Sequence, residues 1–341
     1  MAILKSKWIS IEEYSSLISD IDSIGKTVYH STDWLTAVAR SFGCKLKFVM
    51  TCLDGEPLTV TPFLFKRKAT FRLLGSPLRG TYTEFCGPVF FTNLENCTTD
   101  KIIESQHQFF ARNFDYVEWR FKAEIGISAS LDQSLESLGY EADHAPSLLV
   151  DLSKGEEDLW ASFVGRARTA VRKAEKAGLS AEVIEPSQGW IKDYYDILTA
   201  TFTKQGLAVP HPLCFFQEIE NLSKLGYVFC VESRLDNRIG AAAIFVVGNG
   251  RMMYLSGVAT NDALRLSATS LVQWHAMKRG ISDGLTDYDM GGLGIASIDK
   301  FKRSFGGADV SHRRWVYRSR TFRLLEPLAI WLSKKGWVGL K

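Results

Sequence analysis

Asp287-Tyr288-Asp289-Met290-Gly291-Gly292, followed by Phe301-Lys302-Arg303-Ser304-Phe305-Gly306-Gly307, is the stretch whose reading decides the fold. A short strand runs directly into paired glycines. A Lys-Arg pair then stands between two aromatics, ahead of a second Gly-Gly. Glycines allow sharp turns and close backbone approach, and cations beside such a turn favour an anion at the end of a sheet.

Upstream, a helix over residues 267–279 leads into a strand at 286–290. Strands are expected at 227–233, 239–247 and 251–257, with Asp236-Asn237 and Gly248-Asn249-Gly250 as hairpin turns. Helices at 188–203 and 212–225 come before them, and a strand at 180–184 before those. Residues 151–177 read as one helix. Ser153 suits its cap, Glu156 and Glu157 suit its first turn, and Gly178 suits its stop. Trp160, Phe163, Val164, Ala167, Val171 and Ala174 form its apolar stripe.

The first half follows the same recipe. A helix is expected near 11–18, and Ser31 or Thr32 caps a second that runs to 42. Strands at 46–53, 58–66 and 70–74 follow, the first two joined at Asp54-Gly55. A turn-rich loop covers 75–88, then come a helix at 99–111, a strand at 116–121 and a helix at 130–138. The pattern predicts an α/β (α+β) protein of two tandem domains, 1–150 and 151–320, each a mixed, mostly antiparallel sheet flanked by helices. A C-terminal helix and tail complete the chain over 321–341.

The 341 residues suit two domains of ordinary size. A net charge of +3 argues against a general nucleic-acid binder, which carries a clear basic excess. The cysteines form no C-x-x-C pair and no zinc spacing, so reduced thiols in a cytosolic protein are expected. The first residues hold no apolar signal segment, and the longest apolar runs are strand-sized. There is no Ser-His-Asp pattern, no metal-ligand cluster and no GxGxxG after a strand, so direct attack by an acceptor is the economical chemistry.

Four strings converge on one family: Tyr29-His30-Ser31-Thr32-Asp33-Trp34, the Arg-rich Ala167-Arg168-Thr169-Ala170-Val171-Arg172-Lys173-Ala174, and the two stretches quoted first. With them the chain resembles the FemAB-like acyltransferases of the GNAT-like superfamily, over residues 25–320. The resemblance implies two tandem GNAT-like domains. It implies transfer of an acyl group, often an aminoacyl group from charged tRNA, onto an amine. In the best-known members that amine belongs to a peptidoglycan precursor; shorter members are linked to exopolysaccharide systems or resemble acyl-CoA N-acyltransferases. The long helical arm of some cell-wall enzymes is missing here, which leaves acyl-CoA and aminoacyl-tRNA both open as donor, with no permanently bound cofactor.

Residue roles follow from that resemblance. Asp289 is either the carboxylate that takes a proton from the acceptor amine or a cap for its own glycine turn. Lys302 either neutralises phosphate and steadies an oxyanion or is a solvated surface cation, with Arg303 beside it. Arg265, Ala268 and Ser270 take the places of a degraded pyrophosphate loop, with Ser267 at the helix start, or the segment is an ordinary Ser-capped helix. Tyr254, on the strand before it, faces the acyl group or the core. His30, Trp34, Arg79 and Tyr82 either line an acceptor cleft or are, for the Arg79–Tyr82 loop, a packed connection and, for His30, an ordinary surface residue at a helix start. Arg166 and Arg172, with Arg168, Lys173 and Lys176, form either a polyanion-binding face or a solvated one. His211, between two prolines, stays undecided.

The expected function is N-acyl transfer to an amine of a cell-envelope or polysaccharide precursor. The alternatives are an acyl-CoA-dependent acetyltransferase of a small amine or amino sugar, and a non-catalytic precursor-binding module. The apolar side of the C-terminal helix, with Lys334, Lys335 and Lys341, either rests on the inner face of the membrane or docks on its own domain.

Overall fold

The computed structural model describes residues 4–19, 25–91, 96–121 and 129–334. In chain order its elements are β1 (Leu4–Ile9), α1 (Ile11–Ser19), α2 (Thr32–Phe42), β2 (Lys45–Leu53), β3 (Glu56–Lys68), β4 (Phe71–Ser76), β5 (Val89–Phe90), α3 (Asn96–Phe110), β6 (Tyr116–Phe121), α4 (Ala129–Ser137) and β7 (Tyr140–Asp151). There follow α5 (Gly155–Ser162), α6 (Gly165–Lys176), β8 (Glu182–Ile184), α7 (Gln188–Lys204), α8 (Leu213–Lys224), β9 (Val228–Leu235), β10 (Arg238–Gly248) and β11 (Arg251–Ala259). The chain ends with α9 (Asn261–Arg265), α10 (Ala268–Ser282), β12 (Asp287–Gly292), α11 (Ala296–Arg303), β13 (Ala308–Arg318) and α12 (Arg320–Lys334). This is a mixed α/β protein, as the alternation of strand and helix patterns implies.

The chain divides into two compact units, residues 1–144 with 312–341, and residues 145–311. Sequence reasoning drew its lines at 150 and 320 instead. The difference lies in β7 and β13, strands that the sequence pattern did not reveal. Each begins in one unit and ends in the other.

In the first unit the strands run in the order β1-β2-β3-β4-β6-β13, with β5 against β3. All neighbours are antiparallel except β4 and β6. Asp54 and Gly55 turn β2 into β3 at φ 50° and 99°, the left-handed values a two-residue hairpin needs. Phe63, Phe110, Trp119 and Trp315 pack edge-rich into its core. On β13, Arg314 is buried and paired with Glu118 of β6 at 2.7 Å and Asp143 at 2.8 Å. Two further cationic residues of β13 are held the same way, Arg313 by Asp132 and Arg318 by Glu141. A charge-rich string to which the sequence pattern assigned no element is thus a strand with these charges paired. The expected membrane-facing residues from Leu328 onward lie outside the described side chains. Among the described residues no helix is long and apolar enough to cross a membrane.

In the second unit the order is β7-β12-β11-β10-β9-β8, antiparallel except for β11 with β12. Alternate residues of β10, Ala241, Ala243 and Phe245, share a core with Val171 of α6 and Leu271 of α10. On α7, Trp190 and Tyr194 reach Glu232 of β9 and Ser256 of β11 by hydrogen bonds of 2.8 and 2.9 Å.

The helix expected over 151–177 is broken in two. Val164 is extended at φ −61°, ψ 143°, and Phe163 turns inward between α5 and α6. The guanidinium of Arg168 donates to the carbonyls of Ala161 and Phe163 at 2.8 and 2.6 Å, so the freed end of α5 is capped by a cation. Ser153 does not cap α5; its amide and hydroxyl donate to Asp151 instead.

His30 closes a short 3-10 turn in the first unit and is fully buried. Its Nδ1 accepts from the Thr27 amide at 3.0 Å, which leaves Nε2 to donate to the Gly87 carbonyl at 3.2 Å. Burial pushes its pKa down from 6.5 to about 4. The unfolded chain therefore binds a proton below pH 6.5 that the folded chain refuses until about pH 4. Stability is full above that window and is lost as pH falls through it, by up to about 3 kcal/mol from this group. His107 and His211 are also pushed down to about 4 by burial, so a His30→Asn variant isolates one share of the slope. Urea unfolding followed from neutrality to about pH 5 should give that variant a lower plateau and a shallower pH dependence. An unchanged slope would show that His30 is not held neutral.

Candidate active site

β11 and β12 run parallel, with Arg251, Met252 and Met253 facing Asp287, Tyr288 and Asp289. The pairing ends there. β11 continues to Ala259, while β12 turns aside at Gly291 and Gly292. A cavity of ≈ 730 Å³ opens where they part. Tyr254, Gly257 and Val258 wall it from β11, and Thr269, Val272 and Gln273 from the first turns of α10. Leu293 after β12, Ile298 and Lys302 of α11, and Leu198 and Phe202 of α7 complete it.

β11 also bulges beside this cavity. Toward β10, Ile244 faces Ser256 and Phe245 faces Tyr254, so Leu255 has no partner in the register. A bulge releases backbone groups from the ladder and bends the strand.

Asp289 is the last residue of β12 paired with β11 and is buried. Its Oδ1 accepts from the hydroxyl of Ser147 on β7 and from the Gly291 amide, the latter at 2.9 Å. Asp289 stands behind the turn and is not among the residues that wall the cavity. Its visible task is to hold Gly291, whose φ of +76° suits glycine.

Lys302 does wall the cavity. Only 7% exposed, it turns back from α11 so that Nζ donates to the Gly292 carbonyl at 2.7 Å. The turn it grips is fixed from a second side, because the Asp299 carboxylate accepts from the Gly294 amide at 3.0 Å and the Ile295 amide at 3.3 Å. Phe301 and Phe305 meet edge-on at 5.2 Å and seat α11 against the core.

Ser267 precedes α10 in the left-handed conformation, φ 65°. Ala268 and Ser270 are buried in its first turn. The first amides of any helix lack an intrahelical acceptor and carry the positive end of its dipole. Deeper in α10, Gln273 accepts from the hydroxyl of Tyr288, which burial keeps protonated by raising its pKa.

Residues 161–303, which contain every residue named on the cavity wall, match the family model described as an acetyltransferase (GNAT) domain. The second unit carries a GNAT domain. Across most of the chain the fold is similar to that of three solved proteins. FemX aligns at 14% identity and a TM-score of 0.72, over 94% of this chain and 99% of that one. L-PGS from Bacillus licheniformis aligns at 12% and 0.57, over 97% of each chain. A tandem GNAT protein from the clavulanic acid biosynthesis pathway aligns at 8% and 0.54, over 93% and 98%. At such identities these are likenesses of fold. No curated protein matches the chain by sequence.

Within the GNAT domain the structure brings Tyr254, the start of α10 and Lys302 to one cavity. It does not bring the other basic residues there. Arg303 pairs with Asp309 on the surface, and that pairing raises its pKa. Arg265 is exposed and pairs with Asp262 at 3.2 Å. Arg166 donates to the Lys300 carbonyl, and Lys173 to the Arg265 carbonyl. Arg172 lies over the Trp160 ring at 5.6 Å. The basic face of α6 is thus largely engaged with its own unit.

In the first unit His30 is a buried cap, and Trp34 is a core side chain whose Nε1 donates to Thr83 at 3.0 Å. Arg79 is exposed, its amide donating to Glu118 at 3.0 Å. Tyr82 is half-buried in the same loop at φ 54°. His211 sits half-buried at the start of α8, its backbone carbonyl accepting from Tyr195 at 3.0 Å.

Sequence reasoning missed Ser147, Gly257, Gln273 and Asp299. Gly257 left a trace, as a lone glycine inside a strand pattern signals a close approach. A Cβ there would stand 2.1 Å from the Tyr254 hydroxyl. Gly257→Ala should therefore cost about 1–3 kcal/mol by overpacking, and Tyr254→Phe should recover part of it. Thermal unfolding of both single variants and the double variant measures the coupling; strictly additive effects would place the ring elsewhere.

Proposed function

We propose that this protein is an N-acyltransferase that moves an acyl group from a thioester of coenzyme A to an amine, most simply one borne by a cell-envelope or polysaccharide precursor. The observation that carries the reading is the cavity at the divergence of β11 and β12, which joins a helix start, a strand bulge and the buried cation Lys302. A diphosphate fits the first amides of α10, where backbone donors and helix dipole act together. The arm of the donor then lies along Tyr254–Ala259 and brings the thioester carbonyl to the bulge at Leu255.

The acceptor nitrogen attacks that carbonyl carbon as the free amine. A C–N bond forms, the oxyanion is met by backbone N–H groups at the bulge and by the charge of Lys302, and the C–S bond breaks. The nitrogen's proton passes to the departing thiolate, with the Tyr254 hydroxyl as the nearest relay on β11. Asp289 acts by holding the glycine turn that Lys302 grips.

Aminoacyl-tRNA fits less well as donor. Arg166, Arg168 and Lys173 donate to backbone carbonyls of their own unit, which removes them from a polyanion-binding face. The envelope acceptor rests on the resemblance to FemAB-like enzymes.

Acetyl-CoA should raise the melting temperature of the purified protein, whereas coenzyme-free nucleotides of the same charge should raise it less. Lys302→Met should weaken turnover at least about a hundredfold. It should also lower stability by about 1–3 kcal/mol, since the Gly292 carbonyl loses its donor. Binding of acyl-CoA without turnover on any amine would favour a non-catalytic binding module instead. No response to any acyl-CoA would overturn the donor assignment.

A further inference from the structure

We infer that the acyl group this site accepts is a medium or long aliphatic chain rather than an acetyl or aminoacyl group. The inference rests on the donor reading above and adds the chemistry of what the donor carries. Apart from Lys302, the cavity is largely an apolar chamber, walled by Leu198, Phe202, Ala243, Val258, Leu264 and Ile298. The cavity as a whole, ≈ 730 Å³, also takes the donor's arm and the amine, and its apolar walls still offer more surface than an acetyl methyl covers.

Charge points the same way. The ionisable side chains lining the chamber are Tyr254, Asp299 and Lys302. The single carboxylate among them is committed to the Gly294 and Ile295 amides. An aminoacyl group would carry its α-ammonium into a space whose one cation is Lys302 and whose one anion is already bonded. The lost hydration of the ammonium opposes entry. An aliphatic chain does not meet that cost.

The rim supplies the third observation. Leu264 is 51% exposed, Ile298 44% and Ile295 60%, all on the cavity wall. Apolar side chains gathered at the mouth of a concave site mark a surface that a ligand covers. The chain of a thioester whose carbonyl sits at Leu255 would run across them, while the amine approaches the carbonyl.

Titration calorimetry with acetyl-, butyryl-, octanoyl- and palmitoyl-CoA tests this directly. Each buried methylene is expected to tighten binding by about fourfold, so octanoyl-CoA should bind at least about a hundredfold tighter than acetyl-CoA. Ile298→Asp and Leu264→Asp, both at half-exposed positions that tolerate charge in the fold, should each cut the octanoyl-to-acetyl ratio at least about tenfold. Ala243→Leu, which fills the chamber from inside, should do the same if it folds. Equal affinities across the series, or a ratio unmoved by the aspartate variants, would overturn the inference while leaving acyl-CoA as donor. Absence of binding by every member would overturn the donor reading and this inference together. A chain-length dependence found only with alkylamine acceptors, at constant donor affinity, would assign the chamber to the acceptor and overturn the inference alone.

Discussion

The site depends on one constraint, the early end of the pairing between β11 and β12. Parallel strands in a packed sheet ordinarily stay hydrogen-bonded along their length, because unpaired buried backbone is costly. Here the pairing stops at Met253 and Asp289, and other groups take over the backbone that is released. Asp289 accepts from Gly291, Lys302 donates to Gly292, Asp299 holds Gly294 and Ile295, and Pro146 accepts from Leu293 at 2.8 Å. The backbone is thereby fixed where it leaves β11, while Gly292 stays in register with Ser147 of β7. The space left beside β11 becomes a cavity with a fixed wall.

The same economy explains why so many charged side chains prove structural. Arg168 and Lys173 complete the exposed carbonyl ends of α5 and α9, where a helix carries its negative pole. In the first unit, Glu118 gathers Arg314, the Tyr116 hydroxyl and the Arg79 amide into one buried polar cluster. Groups in such a cluster are expensive to leave unpaired, so each holds the others in place. Only Lys302 combines burial, charge and a position on the cavity wall, which is what makes it the residue to watch.

Much of this was legible in the residues. Hairpin turns at Asp54-Gly55 and Asp236-Asn237 read correctly because left-handed turn positions select few residue types. The Gly-Gly after a short strand read correctly as a turn, since Gly291 takes a left-handed φ at the end of β12. β7 and β13 were not legible. Their strings carry Asp, His, Arg and Pro, and the pattern becomes strand-like only once Arg314 finds Glu118, far away in sequence. His30 and Trp34 looked like site residues, since a polar tip on an aromatic ring reads the same whether it meets a ligand or a buried backbone carbonyl. The break between α5 and α6 was hidden because an apolar stripe continues across it, and nothing local announces that Arg168 will cap the first helix.

The most direct test is a crystal structure with an unreactive thioether analogue of an acyl-CoA. The account places its diphosphate at the first amides of α10, beside Ala268 and Thr269, and its carbonyl between the Leu255 bulge and Lys302. An analogue seated elsewhere in the second unit, or held by the first unit around Arg79 and Tyr82, would contradict it.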